Sequence, residues 1–161
     1  MKKLSTYIWV SKSAKQTFKL GEQIAHQLGG GEIILLSGCL GAGKTVLAQG
    51  IAQGLGIPKD QVTSPSFVLL RIHKGRHFLH HFDFYRIKTL QDILSLGYEE
   101  YFYSKGITLI EWPEHLKFLL PKEFLKIKLF PKAKNQRLFQ FFAKGSQYKQ
   151  LLGKISENIR I

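Results

Sequence analysis

An apolar run that breaks at glycine and resumes as a helix headed by lysine and threonine constrains this chain more than any other feature. Residues 36–50 read LSGCLGAGKTVLAQG, and Gly38, Gly43, Lys44 and Thr45 meet the spacing G-x-x-x-x-G-K-[ST] in full. Ile33 to Leu36 supply an apolar strand before the motif, and the residues after it are helical in pattern. Glycine lacks a β-carbon, so backbone N–H groups can turn inward around a di- or triphosphate. The helix that follows adds its own unpaired N–H groups and the positive end of its dipole. The run Gly38, Cys39, Leu40, Gly41, Ala42, Gly43, Lys44, Thr45 and Val46 is therefore the expected nucleotide cradle. Lys44 would reach the β- and γ-phosphates, and Thr45 would offer its hydroxyl to Mg2+. The plainer alternative is an ordinary glycine-rich turn, and the complete motif in the right context speaks against it.

The rest of the chain supports a sheet around that loop. A short strand over residues 5–10 precedes an amphipathic helix over about 13–28, with Ala14, Phe18, Ile24, Ala25 and Leu28 as its apolar face. Residues 32–37 feed the loop and residues 44–55 form its helix, stopped by Gly56 and Pro58. FVLLRIH and HFLHHFDFY, joined by KGR, read as a hairpin. A helix near 89–96 ending at Gly97, a buried strand ITLIEW, a short helix after Pro113, strands near 124–130 and 137–143, and a final helix over 147–158 complete the order. Strands alternating with helices, plus a hairpin, imply an α/β, P-loop NTPase-like three-layer fold with a mixed, partly antiparallel central sheet. The whole chain, 1–161, is expected to be one domain.

Phosphate chemistry also needs acids, and ligands of such folds collect beyond the carboxyl ends of strands. Glu111 ends ITLIE and Asp83 ends HFLHHFD, so both are candidates for holding metal or orienting water, with a strand-end cap as the alternative. On the second strand Phe78, His80 and Phe82 share one face, and His77, Leu79, His81 and Asp83 the other. The hydroxyls of VTSPS, residues 62–66, lie where nucleotide-sensing loops often lie, and a plain turn is equally compatible with them. Four histidines, His73, His77, His80 and His81, crowd the hairpin. Adjacent strand positions point to opposite faces and no cysteine is near, which argues against a zinc site.

Charge adds a second theme. The formal net charge is +13 over 161 residues, and the excess of lysine and arginine is concentrated from Lys117 onward. Such a face can steer RNA, nucleotides or an acidic protein, although a solvated surface is the common reason for charge of this kind. The single cysteine, Cys39, excludes an internal disulfide and suits a reducing cytoplasm. The first ten residues lack the apolar stretch of a secretion signal, and no run approaches membrane-spanning length. A cytoplasmic location is expected, with neither membrane nor DNA as partner.

GCLGAGKT, VTSPSFVL, HFDFYRI and EWPE stand in an order and spacing that resemble the TsaE (YjeE) family over nearly the whole chain. That family is the small bacterial ATPase of threonylcarbamoyladenosine formation at position 37 of tRNAs that read ANN codons. The resemblance implies ATP and Mg2+ as cofactors, TsaB and TsaD as partner proteins, and ATP hydrolysis that resets their complex between turnovers. It implies Lys44, Asp83 and Glu111 as catalytic residues, Thr45 and Glu111 as the Mg2+ pair, Ser64 and Ser66 in a switch loop, and Trp112 beside the metal. Ser13 and Arg137 would border the nucleotide. The chain departs from the family pattern in carrying Cys39 where aspartate is usual, Ser66 where threonine is usual, and a more basic tail, for which contact with tRNA is an expectation from this sequence alone.

Two other functions fit the phosphate loop. A small P-loop kinase would need an acceptor pocket and an arginine-bearing lid, for which the chain offers no segment. An RNA-binding module with a structural nucleotide would hold tRNA independently of Lys44, but the aromatic stacking motif of common RNA modules is not visible.

Overall fold

The computed structural model describes residues 2–63 and 68–159. Its elements are β1 (Thr6–Ser11), α1 (Ala14–His26), β2 (Ile33–Ser37), α2 (Lys44–Gly54), β3 (Leu70–Lys74), β4 (Phe78–Asp83), α3 (Leu90–Leu94), α4 (Tyr98–Phe102), β5 (Ile107–Glu111), β6 (Phe124–Pro131), β7 (Arg137–Lys144) and α5 (Ser146–Asn158). Short 3-10 turns cover Lys59–Gln61 and Pro113–Leu119. The strands form a seven-stranded sheet in the order β1-β7-β6-β2-β5-β4-β3. β6, β2, β5 and β4 run parallel, while β3 and the β1–β7–β6 side are antiparallel. No helix among the described residues is long and apolar enough to cross a membrane.

β2 and β5 are buried at every position, which is why IILLS and ITLIE read as near-continuous apolar runs rather than alternating ones. Alternation along β2 still divides the core. Ile34 and Leu36 face α1, α2 and α5, whereas Ile33 and Leu35 face α3, α4 and the Pro113–Leu119 turn. Each fully buried aliphatic or aromatic side chain contributes roughly 1.5–3 kcal/mol on transfer grounds, so these two layers pin the strand that leads into the glycine loop.

The expected elements are found, with four local differences. The buried face of α1 is Thr17, Leu20, Gly21, Ile24 and Ala25, while Ala14 is exposed and Phe18 only half-buried. The reason is a close crossing of α1 and α2: a β-carbon on Gly21 would lie 2.6 Å from the Leu47 carbonyl, and one on Gly50 would lie 2.1 Å from that of Phe18. β3 begins only at Leu70, because Leu69 turns the chain with φ 66°. β4 ends at Asp83, so Phe84 and Tyr85 lie beyond the ladder. α4 falls where no helix was expected; Gly97, with φ 65°, separates it from α3 and lets Tyr98 and Phe102 enter the second core layer.

Candidate active site

The loop between β2 and α2 begins with Gly38 and reaches the helix at Gly43, which adopts φ 108°. That left-handed conformation is available to glycine at little cost. Gly43 has no side chain to cap α2, and the N–H groups of the first turn are left facing outward from a helix of 11 residues. A cleft of about 410 Å³ opens there, lined by residues 40–46 together with Asp83, Glu111, Trp112 and Arg137. A larger concavity of about 660 Å³ lies at the opposite end of β2, around Ile33, Tyr98 and Tyr148. None of the sequence-predicted site residues lines it, so chemistry rather than size picks out the smaller cleft.

Asp83 and Glu111 are direct register partners at the ends of the parallel strands β4 and β5. Both are buried, Asp83 with 1% and Glu111 with 2% of its surface exposed. Asp83 Oδ1 accepts the Tyr85 backbone N–H at 2.8 Å. Glu111 Oε2 lies 2.6 Å from His81 Nε2, and among the described residues the His81 Nδ1 atom has no hydrogen-bond partner. A proton on Nε2 lets the ring donate to Glu111, whereas one on Nδ1 would be a buried donor with nothing among the described residues to receive it. His80, the residue before it, points to the other side of the sheet, where its ring meets Tyr101 edge-on at 5.1 Å.

Lys44, 6% exposed, lies across from these acids. Its ammonium donates to the carbonyls of Gly38 and Cys39, the latter at 3.1 Å, and sits 4.4 Å from the centre of the Trp112 ring. Burial pulls its pKa below the usual lysine value, and the negative charges of Glu111 and Asp83 oppose that shift. Trp112 is held in a left-handed conformation, φ 57° and ψ 51°, with its ring 4.9 Å from that of Tyr85. A bulky residue in that region costs of order 1–3 kcal/mol, and such strain concentrates at functional sites. Beside it, Ser37 donates a hydrogen bond to Glu114.

Arg137 comes from β7 at the far side of the loop. Its Nε donates to the Ala42 carbonyl at 2.8 Å and an Nη to that of Gly41 at 3.5 Å, so the guanidinium braces the loop backbone from outside. Ser13 uses its hydroxyl to cap α1, accepting the Gln16 N–H at 3.1 Å. It is its neighbours Ala14 and Thr17 that line a small pocket of about 60 Å³, which shares Gly43, Val46 and Arg137 with the main cleft. Cys39 is exposed. Ser64 and Ser66 lie outside the described residues.

Thr45, Asp83, Glu111, Lys44 and Arg137 thus converge, while Ser13 stands one residue away from the site's rim. His81 is the site residue that sequence reasoning missed. The signal was present, because β4 alternation places it on the face of Asp83, but four histidines in one hairpin invite a reading as metal ligands only.

The family model for threonylcarbamoyl adenosine biosynthesis protein TsaE matches residues 11–139. The chain belongs to the TsaE family. A TsaE protein of Treponema pallidum is 40% identical over 120 residues, covering 74% of this chain and 88% of its own length. That of Bacillus subtilis is 33% identical over 154 residues, covering 95% and 96%. The crystal structure of Bacillus subtilis YdiB superimposes with a TM-score of 0.82 at 30% identity, covering 99% of both chains. This TsaE therefore has the P-loop NTPase-like fold and a role in tRNA threonylcarbamoyladenosine biosynthesis.

Proposed function

We propose that this TsaE is an Mg2+-dependent ATPase that works with TsaB and TsaD in forming N6-threonylcarbamoyladenosine at position 37 of tRNAs reading ANN codons. The observation that carries the reading is the meeting of two buried, register-paired carboxylates with an uncapped helix start and a buried lysine in one cleft.

The residues suit the ligand. Amides of residues 40–45 and the Lys44 ammonium would take the β- and γ-phosphates of ATP, and the hydroxyl of Thr45 with the carboxylate of Glu111 would hold Mg2+. When bound, the metal would neutralise charge on the phosphate oxygens. Lys44 would exchange its hold on the Gly38 and Cys39 carbonyls for the phosphates, and its place near the loop fixes where the charge falls. Asp83 is the candidate to orient the attacking water, its own position secured by the Tyr85 N–H. His81 would keep Glu111 in one rotamer while leaving the second carboxylate oxygen to the metal.

Among the described residues Arg137 is the arginine that lines this cleft, and its guanidinium is committed to loop carbonyls. Stabilisation of the charge that develops on the leaving phosphate is therefore expected from a partner, and hydrolysis by the protein alone should be slow. Phosphate release measured for wild type, Lys44→Ala, Asp83→Ala and Glu111→Ala, with and without purified TsaB and TsaD, tests this. The partners should raise the wild-type rate at least tenfold, and each substitution should abolish that gain. An isolated protein as fast as the mixture would end the partner-stimulated reading, and labelled phosphate appearing on an acceptor molecule would make the protein a kinase.

A further inference from the structure

Helices cover only part of one side of the sheet. The layer formed by α3, α4 and the Pro113–Leu119 turn packs on β2, β5 and β4. On the same side, β6, β7 and β1 are covered by no helix among the described residues. Pairing fixes its rows: Lys126 lies across from Phe142 and then Thr6, and Lys128 across from Gln140 and then Ile8. None of these six side chains is buried, whereas the alternate residues, such as Ile127, Phe139 and Phe141, fill the opposite core. Lys144 extends the surface at one end, opposite Phe124, and Phe130, 43% exposed, at the other.

The three strands contain no aspartate or glutamate. Lys126 and Lys128 are two residues apart on one strand face, about 6.6 Å, which is of the order of one nucleotide step of an extended backbone. Between the cations stands Phe142, with Lys128 Nζ 6.0 Å from its ring centre. A one-sided antiparallel face on which a half-exposed ring, Phe142, lies beside Lys126, Lys128 and Lys144 offers stacking to a base and ion pairs to phosphates. A second copy of a chain carrying +13 is a poor occupant, because like charges would meet.

We propose that this open half of the sheet is an RNA-binding surface, with phosphates on Lys126, Lys128 and Lys144 and a base stacked on Phe142. The inference does not rest on ATP hydrolysis, and it places the RNA contact on a defined sheet face rather than on the basic tail as a whole. It also supplies what the sequence did not reveal, since the stacking residue and the cations come from strands paired across a turn.

Fluorescence anisotropy with labelled tRNA and with a labelled unstructured oligoribonucleotide tests it. The triple variant Lys126→Glu, Lys128→Glu, Lys144→Glu should bind both probes at least tenfold more weakly. Its slope of log K against log salt should be shallower by about 2, because three phosphates of a single strand would no longer be neutralised. A charge-matched control, Lys19→Glu, Lys74→Glu, Lys154→Glu, should stay within about threefold of wild type, and Phe142→Leu should weaken the oligoribonucleotide. The milder triple change to Gln should show the same shallower slope, which guards against a folding defect. Lys44→Ala should bind RNA as wild type does, so failure of the ATPase reading and failure of this one are separable. Equal losses in the two charge-reversed triples, no RNA binding by wild type, or loss of an acidic protein partner with RNA binding unchanged would each overturn the proposal.

Discussion

His81 Nε2 lies 2.6 Å from Glu111 Oε2, and both side chains are buried between two parallel strands. A carboxylate held from behind in this way cannot swing out of the cleft. Removing the imidazole in His81→Ala should lower the apparent affinity for Mg2+ by about 10- to 100-fold, the range seen for partners of metal ligands. His81→Gln, whose amide can still donate, should recover part of the loss. Mn2+ binding followed by electron paramagnetic resonance in the presence of nucleotide, alongside Mg2+ titration of phosphate release, checks both; an unaltered metal affinity in the alanine variant would show that Glu111 needs no support.

Lys44 gives a prediction with a defined sign in pH. Its pKa is depressed in the folded state chiefly by burial, so between that value and the unfolded value of 10.5 the unfolded chain holds more protons. The cost of the buried charge is fully present at lower pH and disappears as pH rises towards 10.5. Lys44→Met should therefore melt no lower than wild type at pH 7, and the gap between the two should shrink by pH 10, while nucleotide binding is lost. Thermal unfolding at the two pH values reads this directly; a variant much less stable at pH 7 would mean that the bonds to Gly38 and Cys39 outweigh the desolvation.

Arg137 braces the loop through two carbonyls, at 2.8 and 3.5 Å. Arg137→Ala should weaken binding of a fluorescent ATP analogue about tenfold with little change in melting temperature. Lys, which lacks the planar fork, should rescue it poorly. Full rescue by Lys would make the contact a matter of charge alone.

The α1–α2 crossing allows no added methyl. In Gly50→Ala the new carbon would start 2.1 Å from the Phe18 carbonyl, a backbone atom that no rotamer change can move, so the helices must separate. Overpacking of this kind costs about 1–3 kcal/mol, which denaturant unfolding should register as a lower midpoint. Because α2 carries the phosphate loop, nucleotide affinity should fall with it.

The glycine loop and the strands around it were legible because their pattern is local: glycine spacing, an apolar run before it and a helix after it lie within about 20 residues. The placement of Asp83 and Glu111 at strand ends was also legible, since each closes an apolar run. Ile24, Ala25 and Leu28 are buried as expected, but Ala14 and Phe18 are not, because Gly21 and Gly50 set the crossing, and a glycine carries no hydrophobic signal in a helical pattern. α4 was missed because YEEYF has too few residues to show a period, and its position depends on Tyr98 and Phe102 finding the second core. The roles of His81 and Arg137 depend on which strands become neighbours, which no single segment encodes.

β2 sits between β5 and β6, partners drawn from the later half of the polypeptide. Its loop receives Glu111 from one flank and Arg137 from a strand that ends only at Lys144. A chain emerging from the ribosome would display the glycine motif long before it owns a working pocket. The cleft should therefore close late, when the last hairpin docks, and half-made copies would lack the walls that Glu111 and Arg137 supply.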